Sequence, residues 1–264
     1  MIATWTFDPG PILLLGTITT AYVVRWRNAR REGGTRAVPG WRLFVFLCGI
    51  ASTAAALISP IDALAAKLFV MHMVQHVLLL DFAPVFCILG LTKVLLRPVT
   101  RRVQRLERAA GPIGHPVFAI VFYVASMWFW HIPTMYDAAL NHPGVHVLEH
   151  LTFGCAGGLY WWHLLSPIRS RHRLGGMGPV VYMVSTKLLV GLLGLGLTFT
   201  PHALYAHYTG GTWGLNADED EQLAGAVMAI EQSIVMGIAI AWLFVRMLEE
   251  SQRDDERAER YGTS

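Results

Sequence analysis

Long apolar runs separated by short charged segments dominate the chain. Seven of them reach the roughly 20 residues a helix needs to cross a hydrocarbon core of about 30 Å. They lie near 10–26, 41–60, 67–91, 113–133, 145–166, 179–200 and 222–246. The pattern predicts an all-α, polytopic membrane protein, with a seven-helix transmembrane domain over 1–248 and a charged cytoplasmic tail over 249–264. The first run follows Pro9 and Pro11, is followed rather than preceded by arginines, and lacks a small-residue cleavage site. It therefore reads as a retained helix and not a signal peptide. The tail mixes acids and bases without an apolar stripe, which predicts a frayed, solvated extension of the last helix.

The basic residues orient these runs. Arg25, Arg27, Arg30, Arg31, Arg36 and Arg42 follow the first; Lys93, Arg97, Arg101, Arg102, Arg105 and Arg108 follow the third. Arg169, Arg171 and Arg173 follow the fifth, and Arg246, Arg253, Arg257 and Arg260 follow the last. Only Lys67 and Lys187 remain of the 21. Lysine and arginine accumulate on the cytoplasmic side, so the N-terminus is expected outside and the C-terminus in the cytoplasm.

Composition adds what this excludes. With 54% hydrophobic and 15% charged residues and a mean hydropathy of +0.44, the chain leaves too little polar sequence for a soluble domain. The net charge of +3 is small, and a lipid bilayer, not nucleic acid, is the expected surroundings. Cys48, Cys87 and Cys155 fall inside apolar runs with no CxxC spacing, which indicates neither disulfides nor a thiolate zinc site.

Histidines are segregated from the arginines. In this topology His72, His76, His131, His142, His146, His150, His202 and His207 lie toward the outside, and only His115, His163 and His172 toward the cytoplasm. A neutral imidazole binds metal, whereas arginine repels a cation. His72 and His76 in MHMVQH, and His146 and His150 in HVLEH, are two i, i+4 pairs, each on one helix face. His131 closes the fourth run, and Glu149 and Glu231 add carboxylates. At 1.5 Å per residue, His76 and Glu231 come out roughly 13 Å deep and His150 about 8 Å. These seven residues are the candidate metal ligands. The thioethers of Met73, Met228 and Met236 suit monovalent copper. His142, His202 and His207 read as interfacial residues, and Trp128, Trp130, Trp161 and Trp162 as an aromatic belt. Deeper, Asp81 and Lys187 come out about 9 and 12 Å from the cytoplasmic edge, which predicts a structural ion pair.

Other chemistries fit the same residues. HVLEH matches the HxxEH pattern of inverzincin metallopeptidases, with Glu149 as base, and His76 facing His150 suits axial ligation of a haem. The succession HMVQHVLLLDFAPVFCILG, WFWHIPTMYDAAL and HVLEHLTFGCAGGLYWW, over about 40–245, resembles the CtaG-type cytochrome c oxidase assembly proteins. That resemblance implies a multi-pass protein of the bacterial plasma membrane, not an enzyme, that supplies copper to a maturing haem-copper oxidase subunit. The matching positions are His72, His76, His131, His146, Glu149 and His150. The metallopeptidase is the alternative expectation, and a haem-binding redox protein the third.

The charge pattern makes a direct prediction. In a background lacking the native cysteines, cysteines introduced near Arg36, Arg102 and Arg171 should be shielded from impermeant reagents in intact cells. Those near Asp137 and Thr212 should react; the opposite accessibility would overturn the orientation.

Overall fold

Prolines mark where helices begin. A proline in the first turn donates no amide that the helix would need and has its φ preset. In the computed structural model this holds for α1 (Pro9–Ala37), but not α2 (Gly40–Ile58), and again for α3 (Pro60–Ala65). Then follow α4 (Phe69–Val77), a π-helical turn (Leu78–Phe82), α5 (Ala83–Gly90), α6 (Lys93–Leu96) and α7 (Thr100–Ala109). Proline again opens α8 (Pro116–Trp130), α9 (Pro133–Asn141), α10 (Pro143–Leu165) and α11 (Gly178–Thr198), and α12 (Ala217–Tyr261) completes the chain. The structure describes residues 4–168, 171–172 and 174–261, and every regular element among them is helical. Arg169 and Arg173, and the side chains of Met236 and Arg260, lie outside the described residues.

Three helical stretches are long and apolar enough to cross a membrane: α2, the continuous run Phe69–Gly90, and α11. α8 and α9, bent by 76° across His131 and Ile132, pass the same test as a pair. The chain is thus a membrane protein with three or four such spans by length and apolarity, where the sequence predicts seven. The remaining long helices, α1, α10 and α12, have 29, 23 and 45 residues but carry more polar groups. Exposed Val147, Leu148 and Leu151 on α10, and Ile230, Ile234 and Ile238 on α12, nonetheless give both an apolar outer face. The helix α1 overruns the expected end near 26 and reaches Ala37, bending at Gly34 where φ is 76°. α12 runs unbroken through the expected boundary at 248, so the charged tail continues the last helix.

The arginine-rich end is tied down through carbonyls. Arg25 donates to the carbonyl oxygens of Val94 and Leu95 at 2.7 and 3.0 Å, Arg42 to that of Leu89, and Tyr22 Oη to that of Gly90 at 2.8 Å. The Leu89 and Gly90 oxygens lie at the C-terminus of α5 and those of Val94 and Leu95 in the short α6, helix ends where cationic donors are favourable. Tyr22 stacks on Phe46 at 3.6 Å within a small satellite core. The main core lies between α4, α8, α10, α11 and α12.

The π turn is the feature on which the interior depends. Pro84 has no N–H to return to the Leu80 carbonyl and its ring crowds that position. The backbone widens instead, with the Ala83 N–H bonded to the Leu78 oxygen, an i→i−5 bond. One extra residue in the turn brings Asp81 onto the inward side that His72 and His76 occupy; all three are buried. α10 presses on this turn at Gly157, where any Cβ would overlap the Leu80 carbonyl. α11 and α12 approach as closely, since a Cβ on Gly225 would meet the Thr198 nitrogen at 2.5 Å. Gly157→Ala should therefore destabilise the protein by about 1–3 kcal/mol through overpacking, measurable as a lower unfolding midpoint in detergent. Ala at Gly158, which meets nothing within 4 Å, should leave that midpoint in place.

Candidate metal centre

The two histidine pairs sit near the starts of α4 and α10 and face each other. The rings of His72 and His146 are 5.5 Å apart, and those of His76 and His150 6.1 Å. Glu149, fully buried, points between them: its Oε2 is 3.7 Å from His72 Nε2 and its Oε1 3.5 Å from His76 Nε2. Two sets of three potential ligands result. His72, His146 and Glu149 form one, His76, His150 and Glu149 the other, and within each the ligand atoms lie within 4.8 Å of one another.

A buried polar atom without a hydrogen bond is costly. Here Nε2 of all four histidines and both oxygens of Glu149 are buried without a hydrogen-bond partner. Imidazole nitrogens and carboxylate oxygens concentrated in this way suit a copper or zinc ion. The residues present therefore fit a metal.

His131, just past the end of α8, stands beside this group with its ring 6.2 Å from that of His76. Its Nδ1 lies 2.6 Å from the Met127 carbonyl oxygen, which only accepts. Nδ1 thus carries the proton, and the lone pair on Nε2 is directed at Met73 Sδ, 3.2 Å away. Gln75, one residue before His76, anchors the helix by donating to the Ala56 carbonyl at 2.7 Å and to Asp62 at 2.9 Å.

The segment 199–221 forms a lid. Tyr205 Oη donates to the His131 carbonyl at 2.8 Å, and Tyr208 Oη to that of Ala65 at 2.9 Å while contacting Tyr136 Oη at 2.9 Å. Burial raises both phenols above their usual range, so they remain protonated donors. Tyr136 in turn packs 5.0 Å from the His72 ring. The acids that follow are structural. Asp220 accepts from the backbone N–H groups of Phe69 and Val70 at 2.7 and 3.0 Å, capping α4 from 150 residues away. Asp218 and Glu221 accept from the amides of Ala203 and Leu204. Burial raises the Glu221 carboxyl, opposed by the Leu204 amide.

Two expectations need correction. No ion pair joins Asp81 to Lys187 among the described residues. Asp81 instead lies 2.9 Å from the Tyr123 hydroxyl through both oxygens, and its Oδ1 accepts from Trp161 Nε1 at 2.8 Å. Neutral donors satisfy the carboxylate without a second buried charge, and Lys187 on α11 is only half-buried. Trp161 therefore belongs to the interior and not to an aromatic belt, and Trp130 is likewise buried; Trp128, in contrast, is exposed. Glu231 is buried on α12 and belongs to neither three-ligand set. With His76, Asp81, Gln232, Met73, Met127 and Met228 it lines a cavity of about 10 Å³, room for one water at most. Tyr123, Trp161 and Met127 carried no polar-in-apolar signal that sequence could separate from packing, whereas Gln232, an amide inside the seventh apolar run, did.

Residues 20–250 match the family described as cytochrome c oxidase caa3 assembly factor. The chain belongs to this family. The motif resemblance is thus borne out over most of the chain. Among its relatives, an uncharacterized protein of Mycobacterium leprae (strain TN) is 22% identical over 98% of this chain and 42% of its own length. Uncharacterized proteins of Mycobacterium bovis and Mycobacterium tuberculosis are each 23% identical over the whole chain, again across 42% of theirs. The chain thus spans about two fifths of the length of these curated relatives. No solved structure matches it.

The geometry around Asp81 yields a coupling test. Asp81→Asn and Trp161→Phe should each destabilise by about 1–3 kcal/mol and combine with less than their summed loss. Lys187→Met should add independently of Asp81→Asn, within about 0.5 kcal/mol. Rescue of Asp81→Asn by Lys187→Met in denaturation measurements would restore the ion pair.

Proposed function

We propose that this chain is a cytochrome c oxidase assembly factor that binds copper between α4 and α10 and supplies it to a haem-copper oxidase subunit. Membership of the caa3 assembly family supports the oxidase. The carrying observation is the cluster of His72, His76, His146, Glu149 and His150, whose buried ligand atoms lack hydrogen bonds. Copper is here the cargo. His131 and Met73 add a soft imidazole–thioether pair next to His76, suited to monovalent copper, while Glu231 stands one step deeper as a further carboxylate. His146 and His150 are only partly buried, which gives an ion a side of approach.

The placement that goes with this is a seven-span protein of the bacterial plasma membrane, N-terminus outside, C-terminus cytoplasmic. α1, α10 and α12 complete the count: each is long enough, and α10 owes much of its polarity to the ligand residues themselves. The carrier has no catalytic step of its own. As a zinc metallopeptidase the protein would use Glu149 as a base toward a metal-bound water. Its two oxygens instead face two different histidines, the position of a ligand. A porphyrin has no room in a cavity of about 10 Å³ beside His76.

His76→Ala and His150→Ala should each lower copper in the purified protein at least tenfold in affinity and leave the oxidase short of metal. His172→Ala, at the opposite end, should retain both. Glu149→Gln separates the two metal chemistries. A carrier should lose copper retention; stoichiometric zinc that survives the substitution, with proteolysis abolished, would establish the peptidase instead.

A further inference from the structure

The metal-binding atoms do not form one nest but two tiers. α4 and α10 both begin at the same end of the molecule, so His72 lies level with His146 in the upper tier and His76 with His150 in the lower. The spacing of four residues within each helix offsets the tiers along the helices, with ring centroids 4.3 Å apart for His72 and His76 and 4.2 Å for His146 and His150. Each tier takes one histidine from each helix, and no set of described residues meeting the same spacing contains both histidines of one helix. Glu149 is shared: Oε2 faces His72 and Oε1 faces His76. Six of the cluster's buried unpartnered atoms divide accordingly, two imidazole Nε2 atoms and one carboxylate oxygen per tier; Nδ1 of His72 and of His76 are unpartnered as well.

We propose that the centre binds two metal ions per chain, bridged by the Glu149 carboxylate, one ion in each tier. This rests on the copper-binding reading above and extends it. A single ion placed in either tier would leave two imidazole nitrogens and one carboxylate oxygen of the other buried and unpaired, the costly arrangement. Two ions satisfy all six atoms. A bridging carboxylate also places its single negative charge between two cations whose remaining ligands are neutral, reducing their repulsion where the surroundings screen poorly. The tiers are not equivalent. The His131 ring lies 6.2 Å from that of His76 with its Nε2 at Met73 Sδ, which places softer donors beside the lower tier's purely nitrogen–oxygen set.

Copper(II) alone is the probe. Purified, metal-stripped full-length protein is loaded with it, freed of excess, and analysed for copper per chain and for unpaired spins by electron paramagnetic resonance. The expected result is two copper ions per chain with a spin count well below the copper content, because ions joined by one carboxylate couple magnetically. His146→Asn and His150→Asn, each removing one tier's ligand, should bind one ion, and in both the spin count should rise to equal the copper. One ion in the unmodified protein overturns the bridged pair while leaving the carrier intact. Two ions whose spins are fully counted, or two ions retained in both variants, also overturn it, since the metals then lie elsewhere. No copper in folded, monodisperse protein refutes the carrier itself. Should a variant fail to fold, the ratio of spins to copper in the unmodified protein decides alone.

Discussion

A carboxylate and four imidazoles taken out of water between two helices are expensive, and much of the rest of the molecule exists to hold them there. Glu149 has no hydrogen-bond donor among the described residues. Its position is enforced from outside: Gly157 lets α10 settle against the Leu80 carbonyl, Gln75 ties α4 to Ala56, and Tyr136, held by Tyr208 of the lid, packs against His72. Such an arrangement is preorganised, since each side chain is locked by neighbours that do not themselves bind metal.

The deeper carboxylate shows the contrasting solution. Asp81 is equally removed from solvent yet fully served by the Tyr123 hydroxyl and the Trp161 indole, with Gln232 backing Tyr123 at 3.4 Å. One buried acid is closed by the protein and the other is left open. That contrast within a single helix bundle sets a carboxylate satisfied by the protein beside one that is not, and it is the second kind that the proposed metal centre uses. The π turn makes the pairing possible, because without its additional residue Asp81 would rotate away from the side that His76 occupies.

Sequence alone made the helical class, the apolar runs and both i, i+4 histidine pairs legible, because periodicity and polar residues in apolar surroundings are local signals. The partner of Asp81 was not legible. Opposite charge suggested Lys187, but a tyrosine and a tryptophan look like packing until their polar atoms are placed. The acids at 218–221 likewise gave no hint of their destination, since capping of α4 by Asp220 joins residues far apart in the chain. The shared role of Glu149 needed the distances to each histidine, which spacing within HVLEH does not contain.

The reach of Asp220 has a consequence for how the protein is made. The amides of Phe69 and Val70 begin the helix that carries His72 and His76, and their acceptor is synthesised 150 residues later. While the ribosome is still extending the chain, both histidine pairs already exist but the helix bearing the first of them has an uncapped end. Completion of α12 supplies the missing negative charge and draws the lid down with it. The order of synthesis thus leaves the start of the helix that carries His72 and His76 without its cap until residue 220 has been made.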